Sequence, residues 1–293
     1  MKTIDDVFAK EWKLFYPRAI QLETSSLCNS HCTYCPYDSV SKIFPKSRIS
    51  EDLFINIINQ VKHFQPQLFA PYMNNEPFAD KHFLKRLKII RDALPNTFID
   101  IATNGSLLTE ELSQELLSPE YAVDEIKINF PTIIKEEYEK LTSLNYDLTL
   151  DRVIKFINIA QKVDFKGRYR IVMVDSKHLE IDVEFWRSKG IPSNKYAKVS
   201  RGGIIDTGLI AKNLVNGCKY NRQNEWMHIL SNGLVVLCCM DWHRQQVLGD
   251  LNNQSIDQVW NSNSYQAIRK RISNSEDKSF ICNNCEWGIT YEK

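Results

Sequence analysis

The chain has 293 residues, 43% of them hydrophobic, and its 37 basic and 36 acidic side chains leave a net charge of +1. This length allows one large core with a small appended module. The balanced charge provides no global field to attract nucleic acid or anionic lipid. No apolar run approaches the roughly 20 residues of a membrane span, and the start lacks the apolar stretch and cleavage site of a signal peptide. We therefore expect a cytoplasmic protein that recognises its partners locally, without nucleic-acid or membrane binding.

Apolar, β-rich runs alternate with segments of helical period through the first two thirds of the chain. The predicted strands are residues 19–24, 68–74, 98–104, 125–130, 168–174 and 196–200. Helical spacing marks residues 53–64 and 153–163, and Ser50 and Thr109 are predicted helix N-caps. Such alternation predicts a parallel sheet, buried on both faces and covered by helices. The expected fold is α/β, an open partial (β/α)6 barrel with its chemistry on the loops after the strands.

The pattern changes near residue 201. Two β-rich runs flank Asn232-Gly233, a strong hairpin signal, and are followed by a helical stretch at 262–272 and by the sequence CNNC at 282–285. These features predict a small hairpin-plus-helix module. The predicted division is an N-terminal extension (1–17), the partial barrel (18–200) and the C-terminal module (201–293).

The eight cysteines fall into two groups, which in a reducing compartment favours metal binding or catalysis over disulfides. The first group, Cys28, Cys32 and Cys35, lies in the stretch CNSHCTYC directly after the first predicted strand. Three thiolates can hold three corners of a four-iron cluster and leave one iron open to a ligand. The alternative is a zinc site with His31 as fourth ligand.

This C-x3-C-x2-C spacing, with Tyr34 just before the third cysteine, resembles the signature of the radical S-adenosylmethionine (SAM) superfamily. The resemblance implies a [4Fe-4S] cluster whose open iron chelates the methionine moiety of SAM. It also implies reductive cleavage of SAM to a 5′-deoxyadenosyl radical that abstracts hydrogen from an unactivated C–H bond. The electron would come from a donor such as flavodoxin or ferredoxin.

Three later strand ends extend the resemblance. Asn74-Asn75-Glu76-Pro77 stands where the family usually has Gly-Gly-Glu-Pro, which implies contacts of Asn74, Asn75 and Glu76 with the ammonium of SAM, although the two asparagines depart from the pattern. Thr103-Asn104-Gly105 resembles the T-N-G of the family, and Asn129 stands where a polar side chain often meets the ribose. Read without the family, Thr103 and Asn104 begin an ordinary turn, and Asn129 is a polar strand end.

The second group contains Cys218, Cys238 and the C-x2-C pair Cys282 and Cys285. With Gly233, its C-x(9–15)-G-x4-C opening resembles the SPASM and twitch domains of radical SAM enzymes. Full SPASM domains carry two auxiliary clusters, whereas these four cysteines suffice for one closed [4Fe-4S] site. A zinc ribbon is the alternative.

Other residues near this group are candidates for catalysis. Cys239 is expected to point away from Cys238 if both lie in a strand, as a core thiol or as a hydrogen donor. Asp241 stands near a base position of some SPASM enzymes, with a turn-forming role as the alternative. Arg201 is a candidate for holding a substrate anion or hydroxyl, or is simply solvated. His243 is expected to be a surface or packing residue. Tryptophans 226, 242, 260 and 287 are expected in the core of the module.

Two clusters suggest separate roles in radical formation and electron acceptance. We therefore predict two-electron oxidation of an alcohol on a sugar or aminocyclitol, as in the short dehydrogenases of aminoglycoside biosynthesis that the layout resembles. The alternatives are epimerisation with Cys239 as hydrogen donor, modification of a peptide, and a non-enzymatic zinc protein. Eighteen residues before the first strand are few for a leader-peptide domain, which lowers the peptide alternative. The near-zero charge and the large β/α pattern argue against the zinc-protein alternative.

Overall fold

The computed structural model describes residues 3–8, 15–174, 177–273 and 275–290. The first part of the chain, in order, contains α1 (Ile4–Phe8), β1 (Ala19–Leu22), α2 (Tyr37–Ser41), α3 (Glu51–Phe64), β2 (Leu68–Ala70), α4 (Phe83–Ala93), β3 (Phe98–Thr103), α5 (Glu110–Leu116) and β4 (Glu125–Asn129). It continues with α6 (Lys135–Thr142), α7 (Tyr146–Lys162), β5 (Arg168–Val174), α8 (Leu179–Ser188) and β6 (Ser193–Tyr196). Short 3-10 turns cover Pro77–Ala79 and Ile281–Asn284.

The remaining elements are β7 (Gly217–Cys218), α9 (Arg222–Glu225), β8 (Trp226–Ile229), β9 (Leu234–Val236), β10 (Val247–Asp250), α10 (Ile256–Trp260), α11 (Asn263–Ile272) and β11 (Gly288–Ile289). None of the helices in the described ranges is both long and apolar enough to cross a membrane.

The main sheet has nine strands in the order β10-β9-β8-β1-β2-β3-β4-β5-β6, and strands β1 to β6 run parallel. This arrangement confirms the predicted partial barrel. The β8–β9 hairpin joins the barrel through β8, which pairs in parallel with β1, Ala19 lying opposite Trp226. The C-terminal antiparallel strands therefore extend the sheet at the β1 edge.

The helix starts follow the sequence signals. The Ser50 side chain accepts a hydrogen bond from Leu53 N, and Thr109 caps α5 in the same way through Leu112 N. The predicted hairpin also forms, with Gly233 at a φ of 89° in its turn. A side chain would be strained in that conformation, so the Asn232-Gly233 signal has a direct backbone cause.

Two strand predictions were wrong in position. The sixth strand is β6 at Ser193–Tyr196 and not residues 196–200. It is an exposed edge strand with one neighbour, so packing places few apolar residues on it; Val199, which drew the prediction, packs on the core beyond the strand. Similarly, β9 ends at Val236, so Cys238 and Cys239 lie in the following turn and not in a strand.

The two faces of the barrel sheet differ in chemistry. The outer face contributes Ile20, Phe69, Ile99 and Ile126 to the main core under the helices. At the lower end of the inner face, Ala19, Leu68 and Phe98 pack with Ile4 and Phe8 of α1. Helix α1 therefore covers the end of the barrel opposite the strand C-termini with an apolar layer.

Higher on the inner face the side chains are polar. Register aligns Gln21 with Ala70, Asp100 with Glu125, and Lys127 with Arg170 across neighbouring strands, so these side chains share the inner face. Gln21, Asp100 and Glu125 are buried, so the inner face is buried here and yet polar. An open barrel encloses space on its inner side, and polar side chains there can be satisfied by one another or by a ligand.

Candidate active site

The first cysteine loop follows β1 at the carboxyl edge of the sheet. Its backbone is anchored to the end of α6, because His31 N and Thr33 N donate to the carbonyls of Thr142 and Leu141 at 3.0 and 2.9 Å. The Tyr37 hydroxyl accepts a hydrogen bond from Cys28 N at 2.9 Å. These bonds fix a loop that sequence spacing alone could not orient.

The three thiols of this loop are half-buried and close enough to affect one another's ionisation. Burial is the main cause that raises the pKa of Cys28 to about 12 and that of Cys35 to about 11, and the neighbouring thiols add a smaller rise. Thiols must lose their protons to bind iron, so cluster assembly here must offset that preference for the protonated form. Burial also raises the pKa of Tyr34, which lies beside Cys32 and Cys35.

The residues expected to contact SAM meet at one point on the strand ends. Glu76 is 2% exposed, and its carboxylate accepts hydrogen bonds from Thr103 Oγ1 at 2.7 Å and Asn104 N at 2.6 Å. Asn104 Nδ2 in turn donates to Asn29 Oδ1 at 2.9 Å, which ties this point to the cysteine loop. Burial raises the pKa of Glu76 to about 7 despite these bonds.

The two asparagines that depart from the family pattern lie beside this point. Asn75 Oδ1 accepts from Met73 N at 3.0 Å, while its Nδ2 is buried and has no hydrogen-bond partner among the described residues. A buried donor without a partner is costly and suits a ligand oxygen such as a carboxylate. Asn74 lines a neighbouring polar pocket with Glu23. Asn129 ends β4, half-buried on the inner face.

The second cysteine group lines one cavity. Its lining includes Cys218, Cys238, Cys282 and Cys285, together with apolar side chains such as Leu237 and Ile281. No other cysteine lines this cavity among the described residues. Four thiols around an apolar cavity fit a closed four-cysteine cluster site.

Backbone pairing explains how the four cysteines converge on this cavity. The short β7–β11 ladder sets Cys218 opposite Gly288, and Cys282 lies in the 3-10 turn just before. A Cβ at Gly288 would lie 2.6 Å from the carbonyl oxygen of Cys282. Glycine is therefore the residue that permits this close approach.

Cys239 does not share this cavity. Its sulfur lies 2.9 Å from Nη1 of Arg222, and Arg222 itself lines the cavity beside the four cysteines. The expectation that the two adjacent cysteines diverge therefore agrees with the placement, although the cause is a turn. Sequence reasoning did not select Arg222, because its position in α9 carries no motif.

Asp241 is 2% exposed, and its two carboxylate oxygens each accept a backbone N–H, from Gln245 and Gln246, at 2.8 Å. Burial raises the pKa of Asp241, and those bonds oppose the effect. The structure thus shows a turn-stabilising role for Asp241, and its role as a base stays a prediction. His243 is exposed.

Arg201 has a positive φ of 53° and lies near the first cysteine group. Its charge acts on Cys32 and Cys35, whose raised pKa values it partly lowers, while Nη1 lies 3.8 Å from the sulfur of Met240. Arg201 Nε is buried without a hydrogen-bond partner among the described residues. That donor is open to a ligand acceptor.

The tryptophans are mostly packing residues. Trp260 is 1% exposed within the main core, and Trp242 is 5% exposed against Tyr37 beside the first cysteines. Trp226 and Trp287 instead lie over the guanidinium of Arg222, at 5.4 and 5.0 Å to their ring centroids.

A polar network on the inner face of the barrel was also missed by sequence reasoning. Lys127 Nζ donates to Asp100 Oδ2 at 2.6 Å, and the Tyr72 hydroxyl donates to the same oxygen at 3.0 Å. Glu125 accepts from Arg168 at 2.9 Å and lies 3.0 Å from Nε of Arg170. Burial opposes the charge on Lys127, yet Asp100 more than offsets it and the pKa of Lys127 is raised.

This network leaves acceptors unused. Among the described residues, Gln21 Oε1, Asp100 Oδ1 and Glu125 Oε2 are buried without a hydrogen-bond partner. The sequence signal was present, since Glu125, Lys127 and Asn129 alternate with isoleucines within β4. Period-two alternation indicates that one strand face meets a polar environment.

Comparisons with known proteins agree with this geometry. The radical SAM superfamily profile matches residues 22–181, and the profile of an iron-sulfur cluster-binding domain, SPASM, matches residues 218–286. The chain is 23% identical over 268 residues to the S-adenosyl-L-methionine-dependent 2-deoxy-scyllo-inosamine dehydrogenase of Niallia circulans, covering 91% of each protein.

Solved structures show the same fold. BtrN in complex with AdoMet and 2-DOIA aligns with a TM-score of 0.63 and 19% identity, covering 92% of each chain. SuiB of Streptococcus suis, bound to precursor peptide SuiA, aligns with a TM-score of 0.69 and 14% identity, covering 94% of this chain and 72% of SuiB. The family uses [4Fe-4S] clusters and SAM, which sets aside the zinc alternatives. The chain belongs to the radical SAM superfamily and carries a SPASM-type iron-sulfur cluster-binding domain.

Proposed function

We propose that this radical SAM enzyme oxidises an alcohol of a small polar molecule, of the sugar or aminocyclitol class, by two electrons. The observation that carries the proposal is the pairing of one closed four-cysteine cavity with a polar inner face of the barrel. The cavity would hold a cluster that accepts an electron, and the polar inner face would bind a polyol or an amine. The division into a barrel up to residue 200 and an auxiliary module after it is part of the same proposal.

The first site divides its work among named residues. Cys28, Cys32 and Cys35 would hold the cluster, and Glu76, Asn75 and Asn104 would position SAM. When bound, the cluster and SAM together supply a radical that removes a hydrogen atom from an unactivated C–H bond. An external one-electron donor such as flavodoxin or ferredoxin is the partner that this reaction requires.

Loss of one hydrogen atom from an alcohol carbon leaves a carbon radical that still carries its hydroxyl. Ketone formation then needs one proton and one electron to leave, which completes a two-electron oxidation. Cys218, Cys238, Cys282 and Cys285 would hold the group that takes the electron. Asp241 is a candidate for the proton, although both its oxygens already accept backbone N–H bonds.

The inner face supports the substrate class. Lys127 and Arg170 can donate to hydroxyl oxygens, whereas the unused acceptors of Gln21 and Asp100 can receive hydroxyl or ammonium protons. Such a surface can form hydrogen bonds with a ligand that carries a hydroxyl or amino group on most of its carbons. An apolar peptide side chain would leave these buried groups unpaired at a cost of about 1–3 kcal/mol each. Arg201 Nε offers one more donor.

The relatives support the same class without deciding it. The curated relative acts on an aminocyclitol, and its alignment covers most of both chains. SuiB binds a peptide, so modification of a peptide is an alternative outcome, as is epimerisation with Cys239 as hydrogen donor. The contact of Cys239 with Arg222 favours an engaged, half-buried sulfur over a free hydrogen donor.

The test is product mass. Anaerobically reconstituted enzyme, SAM and a reductant would be incubated with a panel of aminocyclitols and polyols in deuterated water, with a short peptide panel in parallel. We expect one polar substrate to lose two hydrogens with matching formation of 5′-deoxyadenosine. An isomer of unchanged formula carrying solvent deuterium would select epimerisation, and turnover of peptides alone would reject the small-molecule class.

A further inference from the structure

Arg222 occupies an unusual place beside the four-cysteine cavity. Three aromatic rings surround its guanidinium, with centroids at 5.4 Å for Tyr220, 5.4 Å for Trp226 and 5.0 Å for Trp287. The rings fix the plane of the guanidinium and limit its contact with water. Since the same residue lines the cavity, the cation is held next to the four thiols.

Within the described ranges, no Asp or Glu oxygen comes within ion-pair distance of Arg222. Its polar contacts are the sulfur of Cys239 at 2.9 Å and His228 Nε2 at 3.3 Å. The groups nearest to Arg222 that can carry negative charge are therefore cysteine sulfurs, that of Cys239 by direct contact and those of the four cysteines that share its cavity.

Arg222 also reaches the barrel. His228 lies opposite Gln21 in the β1–β8 pair, which puts it on the inner face of the sheet. It is fully buried, and burial together with Arg222 lowers its pKa, so the ring is neutral. One side chain thus joins the cluster cavity to the inner face where the substrate would bind.

We propose that Arg222 is a positioning residue that raises the reduction potential of the auxiliary cluster, which makes the cluster a better electron acceptor. A fixed cation in a poorly solvated site stabilises the state with one more negative charge, here the cluster after it has gained an electron. The electron comes from the substrate radical, whose proton leaves to a base. The inference needs a cluster in the cavity but does not depend on the identity of the substrate.

The experiment measures the midpoint potential of the auxiliary cluster without any turnover. Cys28→Ala would serve as the background, so that only the auxiliary cluster contributes to an EPR-monitored redox titration. Arg222→Gln is expected to lower the midpoint potential. The equilibrium constant for reduction should fall at least about tenfold, which corresponds to about 59 mV for a one-electron step. Arg222→Lys keeps the positive charge, so its equilibrium constant for reduction of the cluster is expected to stay within about threefold of the parent value.

Arg269 provides a matched control in the same module. It lies over Trp260 and Tyr265, at 4.4 and 4.6 Å, but does not line the cavity. Arg269→Gln removes a similar stacked cation and is expected to leave the midpoint unchanged. Arg222→Gln with full iron and the parent midpoint would overturn the inference, as would an equal shift in Arg269→Gln.

If Arg222→Gln fails to bind iron, the midpoint potential of Arg222→Lys tests the inference instead. If Arg222→Lys binds the cluster but its equilibrium constant for reduction differs from that of the parent by about tenfold or more, packing, and not charge, sets the potential. That result would overturn the inference. A negative result in this titration leaves the proposed dehydrogenation untouched, because product mass is measured separately.

Discussion

The two cysteine sites of this protein differ in how the chain builds them. The first takes three cysteines from a single loop of eight residues, anchored by backbone bonds to the end of α6. The second gathers four cysteines from three separate segments, joined by the β7–β11 ladder and the turn after β9. If both groups bind a four-iron cluster, the loop supplies three ligands and leaves one iron open, whereas the cavity supplies all four. On the proposed function, the first site would then bind a reactant and the second would accept an electron.

Removal of one cysteine from the first site is expected to have the largest effect. Cys28→Ala is expected to reduce SAM cleavage by at least about a thousandfold, because the cluster that binds SAM loses a corner. The protein should keep about four irons of about eight. The measurement is 5′-deoxyadenosine by mass spectrometry with an iron assay, and cleavage at the parent rate would contradict the role assigned to this loop.

The matching change at the second site is the double variant Cys282→Ala/Cys285→Ala, because removing one cysteine would leave three, the number that the first cluster uses. We expect abortive 5′-deoxyadenosine formation to persist within about tenfold of the parent, while oxidised product falls at least about a hundredfold, since the electron has no acceptor. Both compounds can be quantified in the same reaction. Equal loss of the two would mean that the sites do not have separate roles.

The inner face of the barrel can be tested with Lys127→Met. Losing a charged donor is expected to raise KM about tenfold to a hundredfold with a smaller change in kcat, because a buried contact to substrate is lost. Lys155→Met is the control, since Lys155 is exposed and forms an i,i+4 ion pair with Asp151 on the surface of α7. A KM unchanged in Lys127→Met would remove the inner face from the substrate site.

Glu76 is expected to make the free energy of unfolding of the cluster-free protein depend on pH, which is a smaller effect than those above. Its pKa is raised from 4.5 to about 7 by burial, so the neutral form is favoured in the fold. The resulting stabilisation is fully present below about pH 4.5 and is lost as the pH rises through about 7, by about 3 kcal/mol in all. Urea unfolding between pH 5 and 8 should show this decline, and Glu76→Gln should flatten it. The same slope in both proteins would assign it to another group.

The sequence predicted what depends on local spacing. The first cysteine loop, the caps at Ser50 and Thr109, and the hairpin at Gly233 each follow from neighbouring residues, and the β/α alternation predicted the partial barrel. The placement of β6 was missed because a single-neighbour edge strand needs little apolar sequence. Its true bounds come from pairing with β5, which is a tertiary contact.

What the sequence did not reveal depends on contacts between distant segments. Lys127 and Asp100 meet only because β3 and β4 pair in one register, and Arg222 reaches His228 only because α9 leads into β8. The roles expected for the SAM and catalytic residues, among them Asn129, Arg201 and Asp241, stay predictions. Asp241 shows the difficulty, since a buried carboxylate with two backbone donors suits a turn as well as a base.

The most direct test of the open and closed sites is the EPR response to SAM of two variants that each keep one cluster. In reduced Cys282→Ala/Cys285→Ala protein, SAM should change the signal of the remaining cluster, because its fourth iron is free to bind a ligand. In reduced Cys28→Ala protein, SAM should leave the signal unchanged, because four thiolates already enclose that cluster. A signal in Cys282→Ala/Cys285→Ala that does not respond to SAM, or one in Cys28→Ala that responds to it, would contradict the roles proposed for the two sites.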